Sequence, residues 1–122
     1  MKTVLVVEDE RHQRILYGRE LADEGYQVVL AATGQEALQL VRDRCPDLII
    51  LDICMPGMDG IEALGRILRT QRSVPIILHT AYSSYRDNYL TWSADAYVVK
   101  SSNLTELKDT VRRLLSGADG DE

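Results

Sequence analysis

The sequence predicts an α/β fold, a doubly wound parallel sheet of five strands, on three observations. Five short apolar runs, TVLVV, QVVLA, DLIIL, PIILH and AYVV, alternate with stretches of helical composition, the pattern of repeated βα units. The first, third and fourth runs are almost continuously aliphatic, as strands must be when helices cover both faces of a sheet. Finally, Glu8 and Asp9 directly follow the first run and Asp52 directly follows the third. In an open parallel sheet the ligand crevice lies beyond the carboxyl ends of the strands, so these acids converge.

Each element has a local justification. TVLVV, DLIIL and PIILH are the central strands, and QVVLA, flanked by polar residues, lies at an edge. The first helix runs from about Arg11 to Glu24, buries Leu16, Tyr17 and Leu21, leaves Ile15 off that stripe, and is closed by Gly25 as a C-cap. Thr33 with Glu36, and Asn103 with Glu106, have the spacing of capping boxes that open the second and the last helix. Cys45 precedes Pro46 in a turn. The last helix carries Leu104, Leu107, Val111, Leu114 and Leu115 on one stripe, with Lys108, Arg112 and Arg113 facing water near the negative end of the dipole. Gly117 is expected to end it, and the tail SGADGDE to fray.

Bulk properties narrow the function classes. The 122 residues and 13.7 kDa suit one compact domain, 1–122. The net charge is −5 and Lys and Arg are scattered, which argues against direct nucleic-acid binding. No apolar run approaches bilayer-spanning length, so no membrane span and a cytoplasmic location are expected. Cys45 and Cys54 have neither zinc-site nor redox-pair spacing and are expected to be reduced.

The acids call for a cation. Mg2+ (or Mn2+) takes oxygen ligands and keeps several waters, so one or two carboxylates and a phosphate oxygen make a sufficient site. Asp9 and Asp52 are candidates for direct ligands, Glu8 for holding a metal-bound water, and the backbone carbonyl of Cys54 for a further position. Capping of the first helix is the bland alternative for Asp9, but it accounts for neither Glu8 nor Asp52. Asp52 is the candidate nucleophile, because a carboxylate attacks phosphorus to form an acyl phosphate once a metal offsets the anionic repulsion. Thr80, ending the fourth run, offers a hydroxyl donor, and Lys100, ending the fifth, a compact positive charge for phosphoryl oxygens. A solvated lysine is the default for a lone strand-end Lys, yet this one follows a buried run, where a charge needs a partner.

The string LDICMPGMDG, preceded by VVEDE and followed by PIILHTA and DAYVVK, closely resembles the receiver domain of bacterial two-component response regulators, over nearly the whole chain. The joint spacing is specific: Asp52 lies 43 residues after Asp9, Thr80 28 after Asp52, and Lys100 20 after Thr80. The resemblance implies a five-stranded flavodoxin-like sheet of order 2-1-3-4-5. It makes Glu8 and Asp9 metal-binding acids, Asp52 the phosphoacceptor, Thr80 the switch hydroxyl, Lys100 the phosphoryl-binding lysine and Tyr97 the switch aromatic. The implied partners are a sensor histidine kinase or histidine phosphotransfer protein, and a downstream protein that meets the face of the fourth and fifth helices. Such a protein is a switch that catalyses only its own modification, not a conventional enzyme.

Some features depart from the family pattern or stay open. Ser101 and Ser102 replace the usual proline and aromatic after Lys100, which puts the usual cis bond there in doubt, and the Thr80-to-Lys100 interval is about two residues short. For Tyr97 the plain alternative is a strand aromatic packed on the last helix. Tyr85, Tyr89 and Trp92 share a helical face near Tyr82, either as packing residues or as a docking patch. His12 stands among Arg11, Arg14 and Arg19 on a basic face, and His79 packs beside the fourth strand; neither is expected to be catalytic. Two rivals to a phosphorylated receiver remain. One is a receiver-like binding module that is never phosphorylated. The other is an aspartate-nucleophile phosphatase, which needs a second acid two positions after the nucleophile, where this chain has Cys54.

Overall fold

The computed structural model describes residues 1–53, 60–70, 73–81 and 93–118. Five strands, β1 (Thr3–Val7), β2 (Gln27–Ala31), β3 (Leu48–Leu51), β4 (Ile76–Thr80) and β5 (Ala96–Val99), form one sheet. The order is β2-β1-β3-β4-β5 and every pairing is parallel. The three aliphatic runs are interior and QVVLA is an edge, as their sequences imply. Four helices are described: α1 (Arg11–Asp23), α2 (Gly34–Arg44), α3 (Gly60–Thr70) and α4 (Thr105–Ala118). The cis bond placed in doubt after Lys100 does not occur, and there is no cis peptide among the described residues. None of the described helices is long and apolar enough to cross a membrane.

Alternation along each strand divides the core in two. Val4, Val6, Leu48, Ile50, Ile77 and Val98 face Tyr17 and Leu21 of α1 and Leu107, Val111 and Leu115 of α4. Leu5, Val7, Ile49, Leu51, Ile76 and Leu78 face Ala37, Leu38 and Val41 of α2 and Ala63, Leu64 and Ile67 of α3. Tyr97 packs in this second cluster, half-buried, on the sheet face opposite α4. Packing on the last helix, the plain alternative for Tyr97, is therefore excluded by strand parity: Ala96 and Val98 take that side.

Local chemistry sets the helix ends. Thr33 Oγ1 accepts from the Glu36 N–H at 3.0 Å, and Glu36 Oε1 reaches back to the N–H of Ala32 at 2.7 Å, one residue before the Thr33 expected of a capping box. At α4, Asn103 Oδ1 accepts from the Thr105 N–H, while the Asn103 N–H donates to Ser101 Oγ rather than to Glu106. The expected reciprocal box there is replaced by a loop serine. Gly117 does not end α4, which continues to Ala118. Gly25, with φ +98°, follows the α1 cap at Glu24, and Cys45 caps α2 with φ 44°.

Two expectations about helix faces are corrected. Leu16 is 47% exposed, because Tyr17 and Leu21 set the buried stripe of α1 and Leu16 is turned about 100° away from Tyr17. Gly18 shares that stripe, and a Cβ there would meet Leu30 at 3.1 Å, so the helix lies close against β2. Arg112 is exposed as expected, whereas the Lys108 side chain is only 24% exposed. Lys108 pairs with Glu20 at 2.6 Å and Arg112 with Glu24 at 3.4 Å, tying α4 to α1.

His79 lies within β4 rather than beside it, 2% exposed, its ring edge-on to Tyr17 at 4.9 Å. Burial disfavours the imidazolium and pushes its pKa down from 6.5 to about 4. The folded state thus binds fewer protons than the unfolded one between those values, and stability is lost as pH falls. From pH 7 to 5 this residue should remove about 2 kcal/mol of stability. Urea melts of wild type and His79→Leu should show the variant with the shallower pH dependence; parallel curves would contradict the assignment. Gly25→Ala, which meets no neighbouring atom, should cost about 1 kcal/mol through its positive φ alone in the same melts.

Candidate functional site

The strand registers align five side chains. Val7 is level with Ala31 and Leu51, Leu51 with Leu78, and Thr80 with Val99, so β1, β3, β4 and β5 end along one edge of the sheet. The ladder continues one residue further: the Glu8 N–H donates to Ala31 O, the Asp52 N–H to Val7 O, and the Lys100 N–H to Thr80 O. These bonds set Asp52 beside Glu8 and Lys100 beside Thr80. Glu8, Asp9, Glu10, Gln13, Asp52, Thr80, Ala81 and Lys100 line a cavity of about 190 Å³.

Burial and charge define this cavity. Glu8, Asp52 and Thr80 are buried, whereas Asp9 is exposed at the rim. A carboxylate oxygen from each of Glu8, Asp9 and Asp52 lies within 4.8 Å of the others. Lys100 Nζ donates to Glu8 Oε1 at 2.6 Å, Asp52 Oδ2 at 2.8 Å and Gln13 Oε1 at 2.8 Å. The clustered carboxylates of Glu8, Asp9 and Asp52, with Glu10 also on the wall, outnumber the one ammonium and leave the cavity negative. Burial pushes the Glu8 carboxyl above its ordinary range, against the pull of the Lys100 ammonium. Burial also disfavours the charged form of Lys100, but hydrogen bonds to Asp52 and Glu8 outweigh it and raise its pKa. The lysine is therefore a partly buried, paired cation and not a solvated strand end.

The turn between β1 and α1 is held from below. Arg14 Nη1 donates to the carbonyls of Glu8 and Asp9 at 2.9 and 3.2 Å, and the Glu10 N–H donates to Glu8 Oε2. The α1 cap is Glu10, whose Oε1 accepts from the Gln13 N–H. This removes the bland reading of Asp9 as a helix cap and leaves its carboxylate at the cavity. Arg14, grouped by sequence with Arg11, His12 and Arg19 on a basic face, serves the turn instead. Gln13 escaped the sequence reading altogether. Its only signal was a place in the first turn of a helix that follows the strand-end acids. Cys54, whose carbonyl was a candidate ligand, lies outside the described residues, as do Tyr82, Tyr85, Tyr89 and Trp92.

The donor set fits a hard divalent cation: three carboxylate oxygens in reach of one another, an exposed rim for waters, and net negative charge. Glu8, Asp9 and Asp52 would hold it.

Comparison with known proteins agrees with the geometry. Residues 4–112 match the response regulator receiver domain family. The chain is 39% identical over 117 residues to the transcriptional regulatory protein AfsQ1 of Streptomyces coelicolor, covering 94% of this chain and 52% of that one. It spans about half the length of the curated relatives it matches. Among solved structures, the response regulator TrrA of Thermotoga maritima in complex with Mg2+-BeF is 48% identical, with a TM-score of 0.91 over 93% of this chain and 99% of that one. TrrA is also described in complex with the histidine kinase ThkA, there 49% identical with a TM-score of 0.89 over 95% of this chain and all of that one. A CheY-like receiver domain protein of Methanospirillum hungatei is 28% identical, with a TM-score of 0.92 over 98% and 97% of the two chains. By sequence and by fold, this chain belongs to the receiver-domain family of two-component response regulators.

Proposed function

We propose that residues 1–122 act as one phosphoacceptor unit that takes a phosphoryl group on Asp52 from the phosphohistidine of a sensor histidine kinase or histidine phosphotransfer protein. The observation that carries this reading is the Asp52 carboxylate, buried at a strand end, paired with Lys100 and grouped with two further acids. The TrrA complexes with Mg2+-BeF and with a histidine kinase support the cofactor class and the donor. The setting in which such a donor works is the cytoplasm.

An Asp52 oxygen attacks phosphorus, the P–N bond to the donor imidazole breaks, and the imidazole nitrogen leaves with the electron pair. Mg2+ (or Mn2+), when bound by Glu8, Asp9 and Asp52 with the Cys54 carbonyl, neutralises the charge that builds between two anions. Lys100, already 2.8 Å from Asp52, takes up a phosphoryl oxygen as a charge-assisted donor. Thr80, fully buried on the same edge, supplies the hydroxyl that reads the new group. Tyr97, half-buried on edge strand β5, transmits the change to the face of α4 and residues 82–92, where a downstream protein docks. Later attack by water on the acyl phosphate releases inorganic phosphate and resets Asp52. Residues 1–122 thus turn over only their own modification.

With Mg2+ and acetyl phosphate, intact mass should show one added phosphoryl group on wild type and none on Asp52→Asn or in excess EDTA. No added mass on wild type, beside a control receiver that is modified, would replace this reading with an unphosphorylated binding module. Lys100→Ala should still accept the group while losing most of the phosphorylation-dependent change in tyrosine fluorescence.

A further inference from the structure

The Lys100 ammonium has three N–H donors and three acceptors, on Glu8, Asp52 and Gln13. Two of these acceptors are carboxylates of the acid cluster, which a divalent cation would draw toward itself with twice the charge of an ammonium. The third is a neutral carboxamide outside that cluster. We infer that Gln13 is a positioning residue that keeps the Lys100 ammonium over Asp52 when a divalent cation engages Glu8 and Asp52. The inference rests on the proposed role of the acids as cation ligands.

Several features suit Gln13 to this task. An ammonium only donates, so the amide must present its oxygen to Lys100, and the Tyr17 hydroxyl donates to the same oxygen at 3.4 Å. Tyr17 is itself immobilised, 4% exposed and edge-on to His79. The Gln13 backbone is fixed as well, its N–H bound to the capping carboxylate of Glu10 at 2.9 Å. A carboxamide also offers its dipole without adding a further negative charge to a cavity that already has an excess. Gln13 can therefore restrain the lysine without competing for the cation. A glutamate in its place would keep the acceptor oxygen but join the acids.

The test compares wild type, Gln13→Leu and Gln13→Glu. The first readout is the Lys100 ammonium 15N–1H NMR signal in protein saturated with Mg2+. A restrained ammonium exchanges slowly and should be visible in wild type and Gln13→Glu, but lost in Gln13→Leu. Mg2+ affinity should change less than twofold in Gln13→Leu and rise in Gln13→Glu. Half-saturation by beryllofluoride at saturating Mg2+ should be weakened about tenfold in Gln13→Leu and largely restored in Gln13→Glu. A Lys100 signal that persists in Mg2+-bound Gln13→Leu would overturn the inference, as would equal weakening of Mg2+ and beryllofluoride, the mark of a merely loosened helix. Failure of wild type to take beryllofluoride would instead count against Asp52 as acceptor, and the ammonium signal would still decide the role of Gln13.

Discussion

Two carboxylates buried side by side constrain the rest of this molecule. Glu8 and Asp52 end neighbouring parallel strands, where ladder hydrogen bonds leave them no freedom to separate. Uncompensated, such a pair would be too costly to bury, because each charge loses its hydration and repels the other. Lys100, at the end of β5, makes the arrangement tolerable by reaching Glu8 at 2.6 Å from three strands away and Asp52 at 2.8 Å from two. The compensation is deliberately incomplete in electrostatic terms, since the third acid, Asp9, keeps the rim negative.

The surrounding elements serve that arrangement by different means. The sheet sets positions through backbone registers that do not depend on side chains. The first turn of α1 supplies orientation: Arg14 ties down two carbonyls, Glu10 caps the helix, and Gln13 reaches the lysine. Beneath it, Tyr17 and His79 form an apolar floor, which is why the imidazole stays neutral so close to the acids. Pairs from Lys108 to Glu20 and from Arg112 to Glu24 then hold α4 to α1 along the same face. Partly exposed pairs of this kind add little stability one by one, and their value here is to fix the relative rotation of two helices.

Much of this was legible in the sequence, for a definite reason. Period-two and near-continuous aliphatic runs announce strands, and parallel topology sends strand-end residues to a common edge, so Glu8, Asp9, Asp52, Thr80 and Lys100 were grouped by position alone. What escaped depended on rotation about a helix axis or on reach between distant elements. Leu16 and Tyr17 are adjacent and both apolar-bodied, and only the packing of α1 on the sheet decides which turns inward. Arg14 and Lys108 read as solvent cations because their partners, backbone carbonyls in one case and a residue 88 positions away in the other, leave no local trace. Gln13 is a common residue with no typed chemistry, and its role arises from the 87 residues of chain that fold back to bring Lys100 to it.

The same separation gives the site a history. Asp52 and Lys100 are 48 residues apart, so a ribosome finishes both buried acids well before it makes the lysine, by roughly 2–10 s at ordinary elongation rates. During that interval β1 and β3 can pair only with their acids protonated, hydrated or neutralised by an ion from solution. The nascent chain therefore meets its electrostatic problem before its built-in answer exists, and closure of the pocket waits for the last strand to dock.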